Sequence, residues 1–203
     1  EERLAEQVNL AMQRLSSSQN ADGGWGWWKG SDSDLQMTAY VLLGLIEARK
    51  SGYVVPPAAA ADGLRYLRER AAYPPEGFAL RTARARQILA LYVLARYEVF
   101  LPGPAGELFD QRQDLGQESR ALLLQTLWLQ DPQDPRLAVL RSDLASAAVL
   151  SASGTHWEEG EIDPWNWGSD TRTTAVVLDS LLKTEPGSPL LANAVRWLMS
   201  RRT

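Results

Sequence analysis

The sequence contains no cysteine. That excludes disulfides, thiolate zinc sites and a cysteine nucleophile, and it leaves the cellular compartment open. Histidine occurs once, at His156; a metal site needs several converging ligands, and one loop rarely supplies them. No run of 18 apolar residues is present, so nothing in the chain reads as a membrane span. The first residues, EERLAEQVNLAMQRL, lack the apolar centre of a signal peptide. A basic excess is missing too: 21 Lys and Arg stand against 25 Asp and Glu, a net charge of −4, which argues against a nucleic-acid face. What is present is 203 residues, 45% of them hydrophobic. That is enough to bury a core without staples, and it predicts one globular domain over 1–203.

Hydrophobic spacing predicts helices almost throughout. Leu4, Val8, Ala11 and Leu15 recur at helical intervals within a segment of about 2 to 18. Further helices are expected over about 34–51, 56–72, 80–99, 107–113, 117–130, 136–148, 172–184 and 189–202. Pro and Gly at the junctions set the boundaries, as in Pro56-Pro57, Pro74-Pro75 and Pro102-Gly103-Pro104. The stretch 151–164 reads as loop, with one short β-hairpin near 149–159. Both ends of the chain read as helices already under way, so the expected unit is a domain fragment truncated at both ends.

Internal repetition is the most informative feature. Ser33 to Leu45 and Ser169 to Leu181 both read S-D-x-x-x-T-A-x-V-L-x-x-L. Each follows a tryptophan-rich loop, WGWW at Trp25–Trp28 and WNW at Trp165–Trp167. A shorter A-x-x-[L/I]-x-x-L recurs at Ala85 and Ala121, which makes four motif alanines with Ala39 and Ala175. Ala39 to Ile46 is an unbroken run of apolar or small residues, and a helix apolar all round must be surrounded by others. Helices with polar faces, such as Leu64 to Arg70, should lie outside. The predicted fold class is therefore all-α, an incomplete alpha/alpha toroid of helical hairpins. In it Gly44 and the motif alanines would allow close approach, and Ser33 or Asp34 and Ser169 or Asp170 would cap the inner helices. If all inner helices run the same way, the loops at 22–34, 74–80, 113–118 and 157–171 share one end. Six of the eight tryptophans lie in two of those loops, so that end is the candidate functional face.

The stretch Gln19 to Trp28 (QNADGGWGWW), with the S-D-x-x-x-T-A-Y-V-L-L-G-L segment and Glu47 to Gly52, resembles the bacterial alpha-2-macroglobulins. His156 to Glu159 (HWEE), Ser169 to Ala175 and Val195 to Met199 extend the resemblance in the same order over nearly the whole chain. The resemblance implies a fragment of the thioester-domain toroid of a large extracellular or periplasmic protein, in some cases lipid-anchored. Such a protein traps target endopeptidases: a bait region is cut, the shape changes, and an exposed Cys–Gln thioester acylates the attacker. Those residues would precede Glu1. Without a cysteine no thioester residue carries over, and the histidine that speeds acyl transfer in complement relatives has no counterpart in Pro74 to Leu80. No cofactor is implied.

Within that frame Trp25, Trp27, Trp28, Trp157, Trp165 and Trp167 are the candidate interface. They either dock neighbouring domains of the same chain and shield a thioester, or plug the end of the toroid, the plainer use of large aromatics. His156 reads as a solvated or capping residue. The pairs Asp32 with Asp34 and Glu158 with Glu159 read as caps and helix-dipole partners rather than an acid–base pair. The run Arg81, Arg84, Arg86 reads as a solvated helix face. Two other functions remain open. Leu15 to Trp25 matches the Q–W repeat of terpenoid cyclases, although their acidic motif is missing and no zinc site reads out. A carbohydrate-binding or scaffold module would also use exposed tryptophans.

Overall fold

The computed structural model describes residues 2–160 and 167–201, with side chains from residue 6 onward. Among them the chain is all-α apart from one short hairpin. The helices are α1 (Glu2–Ser18), α2 (Leu35–Lys50), α3 (Pro57–Arg70), α4 (Leu80–Arg96), α5 (Pro102–Asp110), α6 (Gln117–Gln130), α7 (Arg136–Ser146), α8 (Asp170–Thr184) and α9 (Leu190–Ser200). A single 3-10 turn covers Arg112–Asp114. Strands β1 (Val149–Ser151) and β2 (Gly154–His156) pair antiparallel, with Val149 opposite His156. No described helix is long and apolar enough to cross a membrane.

The even-numbered helices form an inner row in which α2 packs on α4, α4 on α6 and α6 on α8. The odd-numbered helices stand behind it. Helix α3 touches α2 and α4, α5 touches α4 and α6, α7 packs on α6, and α9 packs on α8 and β2. Side-chain periodicity explains the two layers. Every residue of α4 from Arg86 to Ala95 is buried, and so is every residue of α6 from Ala121 to Leu127. By contrast α3 buries Ala59, Gly63, Tyr66 and Leu67, and α7 buries Leu137, Leu140 and Leu144, one stripe in each case. Each fully buried leucine contributes about 1.5–3 kcal/mol relative to exposure.

Three expectations need correction. Gly44 does not sit at a close helix contact: it is exposed, and a Cβ built there meets nothing within 4 Å. Ala175 is exposed as well, and Leu182 is 51% exposed. Helices α2 and α8 are the two ends of the inner row: each packs closely on one inner helix, and they meet each other through side chains such as Arg172 and Tyr40. Among the described glycines inside helices, the one that serves close packing is Gly63 in α3, where a Cβ would stand 2.7 Å from Trp25 Cζ3. Lastly, α5 begins at Pro102 instead of near Glu107. Pro102 and Pro104 fall in its first turn, where the missing N–H groups would have no helical acceptor.

Candidate functional site

The first turns of the four inner helices meet around a cavity of about 60 Å³. Gln36 reaches it from α2, Arg81 from α4, Glu118 and Ser119 from α6, and Arg172 from α8, while Leu89 and Leu122 form its apolar floor. Gln36, Glu118 and Arg172 each lie three residues before a motif alanine, Ala39, Ala121 and Ala175. The repeat thus brings one polar side chain each from α2, α6 and α8 to the cavity, while on α4 Arg81, four residues before Ala85, reaches it.

Three of the four helix starts carry a side-chain partner. Asp34 caps α2, its Oδ1 accepting from the Gln36 and Met37 N–H groups at 2.9 Å each. Ser169 caps α8 by accepting from Arg172 N–H at 3.2 Å. Helix α6 begins at Gly116 with no side-chain cap of its own. Glu159 supplies one from the loop after β2: its Oε1 accepts from Glu118 N–H at 2.7 Å, and Oε2 accepts from Arg81 Nη2 at 2.9 Å. A Cβ at position 116 would lie 2.0 Å from Glu159 Oε2, so glycine is what lets that carboxylate in. The start of α4, at Ala79, has no side-chain cap.

Arg172 joins three helices. Its Nε and Nη2 donate to both carboxylate oxygens of Glu118 at 2.7–2.9 Å, and Nη2 also donates to Tyr40 Oη at 2.5 Å. Burial works against the Arg172 charge, but the bonds and charge of Glu118 outweigh it and raise its pKa above the ordinary arginine value. Burial raises the Tyr40 hydroxyl pKa, against the pull of Arg172 and a hydrogen bond from Gln36. Tyr40 is therefore a neutral phenol at neutral pH. Across the ring, Arg86 is 2% exposed, its Nη1 2.9 Å from Asp34 Oδ2 and its guanidinium 4.0 Å above Phe78. This corrects the reading of Arg81, Arg84 and Arg86 as a solvated face, because only a paired and stacked arginine survives such burial.

The six candidate tryptophans separate. Trp25 and Trp157 are core plugs, 2% and 0% exposed. Their settings match: Trp25 N–H donates to Thr38 Oγ1 and its indole N–H to Leu15 O, while Trp157 N–H donates to Thr174 Oγ1 and its indole N–H to Leu144 O. Thr38 and Thr174 are the same residue of the repeat, so Trp157 rather than Trp165 is the counterpart of Trp25. Trp27, Trp28 and Trp167 are 46%, 73% and 45% exposed. Trp167 packs edge-on to Trp27, with centroids 5.5 Å apart, and lies 5.2 Å from Tyr40. Its φ of 54° is uncommon for a bulky side chain, so its position is held by these neighbours. Trp165 lies outside the described residues.

His156 is not solvated: it is 8% exposed and stacked on Trp197 at 4.6 Å, with Nε2 2.9 Å from Glu158 Oε1. The hairpin that carries it packs on α9, which the sequence had no means to announce. Among the described residues no cluster of His, Cys, Asp or Glu is able to hold a metal. Glu118 is engaged by Arg172, and Glu159 by Arg81 and the start of α6. Tyr40, Glu118 and Arg172 were missed from the sequence. The available signal was a polar residue three places before each motif alanine, at the mouth of an otherwise apolar helix.

No family model matches the chain. It is 41% identical over 68 residues to an alpha-2-macroglobulin of Thermotoga maritima, covering 34% of the chain and 4% of that protein. It is 32% identical over 121 residues to an alpha-2-macroglobulin of Escherichia coli, covering 56% and 7%. The chain therefore spans a small part of the curated relatives it matches. Among solved structures, the native E. coli alpha-2-macroglobulin from domain MG7 to the C-terminus aligns with a TM-score of 0.80 at 23% identity, over 98% of this chain and 31% of that one. A Salmonella alpha-2-macroglobulin reacted with methylamine gives 0.81 at 21%, over 98% and 13%. The E. coli protein activated by porcine elastase gives 0.76 at 25%, over 100% and 18%.

Proposed function

We infer that this chain is a member of the bacterial alpha-2-macroglobulin family, to whose proteins it is similar, and a non-catalytic part of a protease trap whose tryptophan-bearing end frames and shields a thioester region. The helices would then be an arc of the thioester-domain toroid, and the longer protein an extracellular or periplasmic inhibitor of endopeptidases. The observation that carries this reading is the division of the tryptophans. Trp25 and Trp157 secure the loops at the convergent helix end, and Trp27, Trp28 and Trp167 are left half or more exposed on it. Exposed aromatics seated on a fixed frame suit a surface that another domain covers. The relatives' states support the setting: one structure was solved after reaction with methylamine and another after activation by elastase. At the same end, the two cavity carboxylates are neutralised by Arg81 and Arg172, which favours framing over chemistry.

Two assays test the reading. The 203-residue chain added to trypsin or elastase at stoichiometric ratio should leave proteolysis unchanged; direct inhibition would contradict it. In the longer protein, Trp27→Ala with Trp167→Ala should speed methylamine-induced thiol release by about tenfold, the equivalent of one lost contact of about 1.4 kcal/mol. An unchanged rate would remove the shielding role.

A further inference from the structure

We propose that the cavity ringed by the four inner-helix starts is a binding site for a single primary carboxamide. Gln36 is 1% exposed and lines this cavity, yet its Oε1 has no hydrogen-bond partner among the described residues. A buried acceptor left unmet costs about 1–3 kcal/mol, so it marks a place for a donor. The size is that of a few atoms: on the same measure one water needs about 10–15 Å³, against about 60 Å³ here.

Charge selects the class. A cation would face the positive ends of four helices together with Arg81 and Arg172. An anion would face the Glu118 and Glu159 carboxylates and the Gln36 carbonyl on the same wall. A neutral group with both donors and an acceptor meets neither penalty. A carboxamide carries two N–H donors, for Gln36 Oε1 and a Glu118 oxygen, and a carbonyl that Arg81 can meet with the N–H groups it does not spend on Glu159. The floor of Leu89 and Leu122 takes a stem of one or two carbons. An alcohol offers one donor only and leaves part of the wall unmet. Two carriers present this group, a free small amide and a Gln or Asn side chain, and the test separates them.

The test is an NMR titration of the labelled chain, reading the Gln36 side-chain amide and the Trp167 indole N–H. Propionamide should give a saturable shift with a dissociation constant on the order of millimolar, as expected for a five-atom ligand. Propionate, propylamine and propanol at equal concentration should shift these signals at least tenfold less. Acetyl-Gly-Gln-Gly N-methylamide competing with propionamide, where its Gly-Glu-Gly counterpart does not, would assign the site to a polypeptide side chain. No competition would assign it to a free amide. Gln36→Leu should abolish saturation; Ala85→Leu, which fills the cavity and leaves its polar wall intact, should do the same and covers the case in which the first variant fails to fold. A linear, non-saturating response to propionamide, or equal binding of propionate, overturns the proposal.

Discussion

Glu159 and Gly116 act as a pair. The carboxylate reaches the start of α6 only because position 116 has no side chain, and from there it also ties in Arg81 of α4. Gly116→Ala should therefore cost about 1–3 kcal/mol, since it evicts a buried charge-assisted cap. Glu159→Gln should cost less, as it removes charge and keeps shape. Denaturant midpoints of the two variants check the order; equal losses would mean that the cap contributes little. Tyr66 supplies a second residue-scale test. Burial, reinforced by Asp22 and Asp34 and opposed by Arg70, pushes its hydroxyl up to about 12, and its O–H donates to Ser33 O at 2.9 Å. The unfolded phenol ionises near 10. Tyr66 thus contributes stability that is complete below about pH 10 and is lost as pH rises from about 10 to about 12. Tyr66→Phe should be about 1 kcal/mol less stable at pH 7 and should lack that alkaline decline, as followed by urea melts at pH 8 to 11.

At the scale of elements, what the sequence made legible was what local pattern controls. The helix over Gln117–Gln130 is where apolar spacing, Gly116 and Asp131-Pro132 place it. Asp34 and Ser169 cap as their residue types suggest, although one is the Asp and the other the Ser of the same S-D pair. What stayed illegible depended on distant partners. Arg86 is buried because Asp34, 52 positions away, and Phe78 accept its charge. His156 is buried because β2 lies on α9. The pairing of Trp25 with Trp157 was hidden because the intervals to Thr38 and Thr174 differ, 13 residues against 17. The contact between the two ends of the inner row is likewise a matter of side chains, chiefly Arg172 with Tyr40 and Trp167 with Trp27 and Tyr40. Arg172→Met should cost about 3 kcal/mol or more by leaving Glu118 partly buried and unpaired. It should also raise the solvent quenching of tryptophan fluorescence. Stability loss without a fluorescence change would mean that the aromatic contact does not depend on the guanidinium.

For the whole molecule, burial is centred on α4 and α6 and thins toward both ends of the row. Native-state hydrogen exchange should follow the same order, slowest in the middle of α4 and α6 and faster in α2 and α8, each of which packs closely on one inner helix. The tryptophan end is a separate surface, on which Trp27, Trp28 and Trp167 are exposed. On the proposed reading, this end is a covered, non-catalytic face in the longer protein. Oxidation of tryptophan by N-bromosuccinimide, mapped residue by residue by mass spectrometry, tests it most directly. In the 203-residue chain Trp27, Trp28 and Trp167 should react readily while Trp25 and Trp157 resist. In the longer native protein the first three should be protected at least severalfold. Equal reactivity of Trp27, Trp28 and Trp167 in both forms would show that nothing covers this face and would contradict the account.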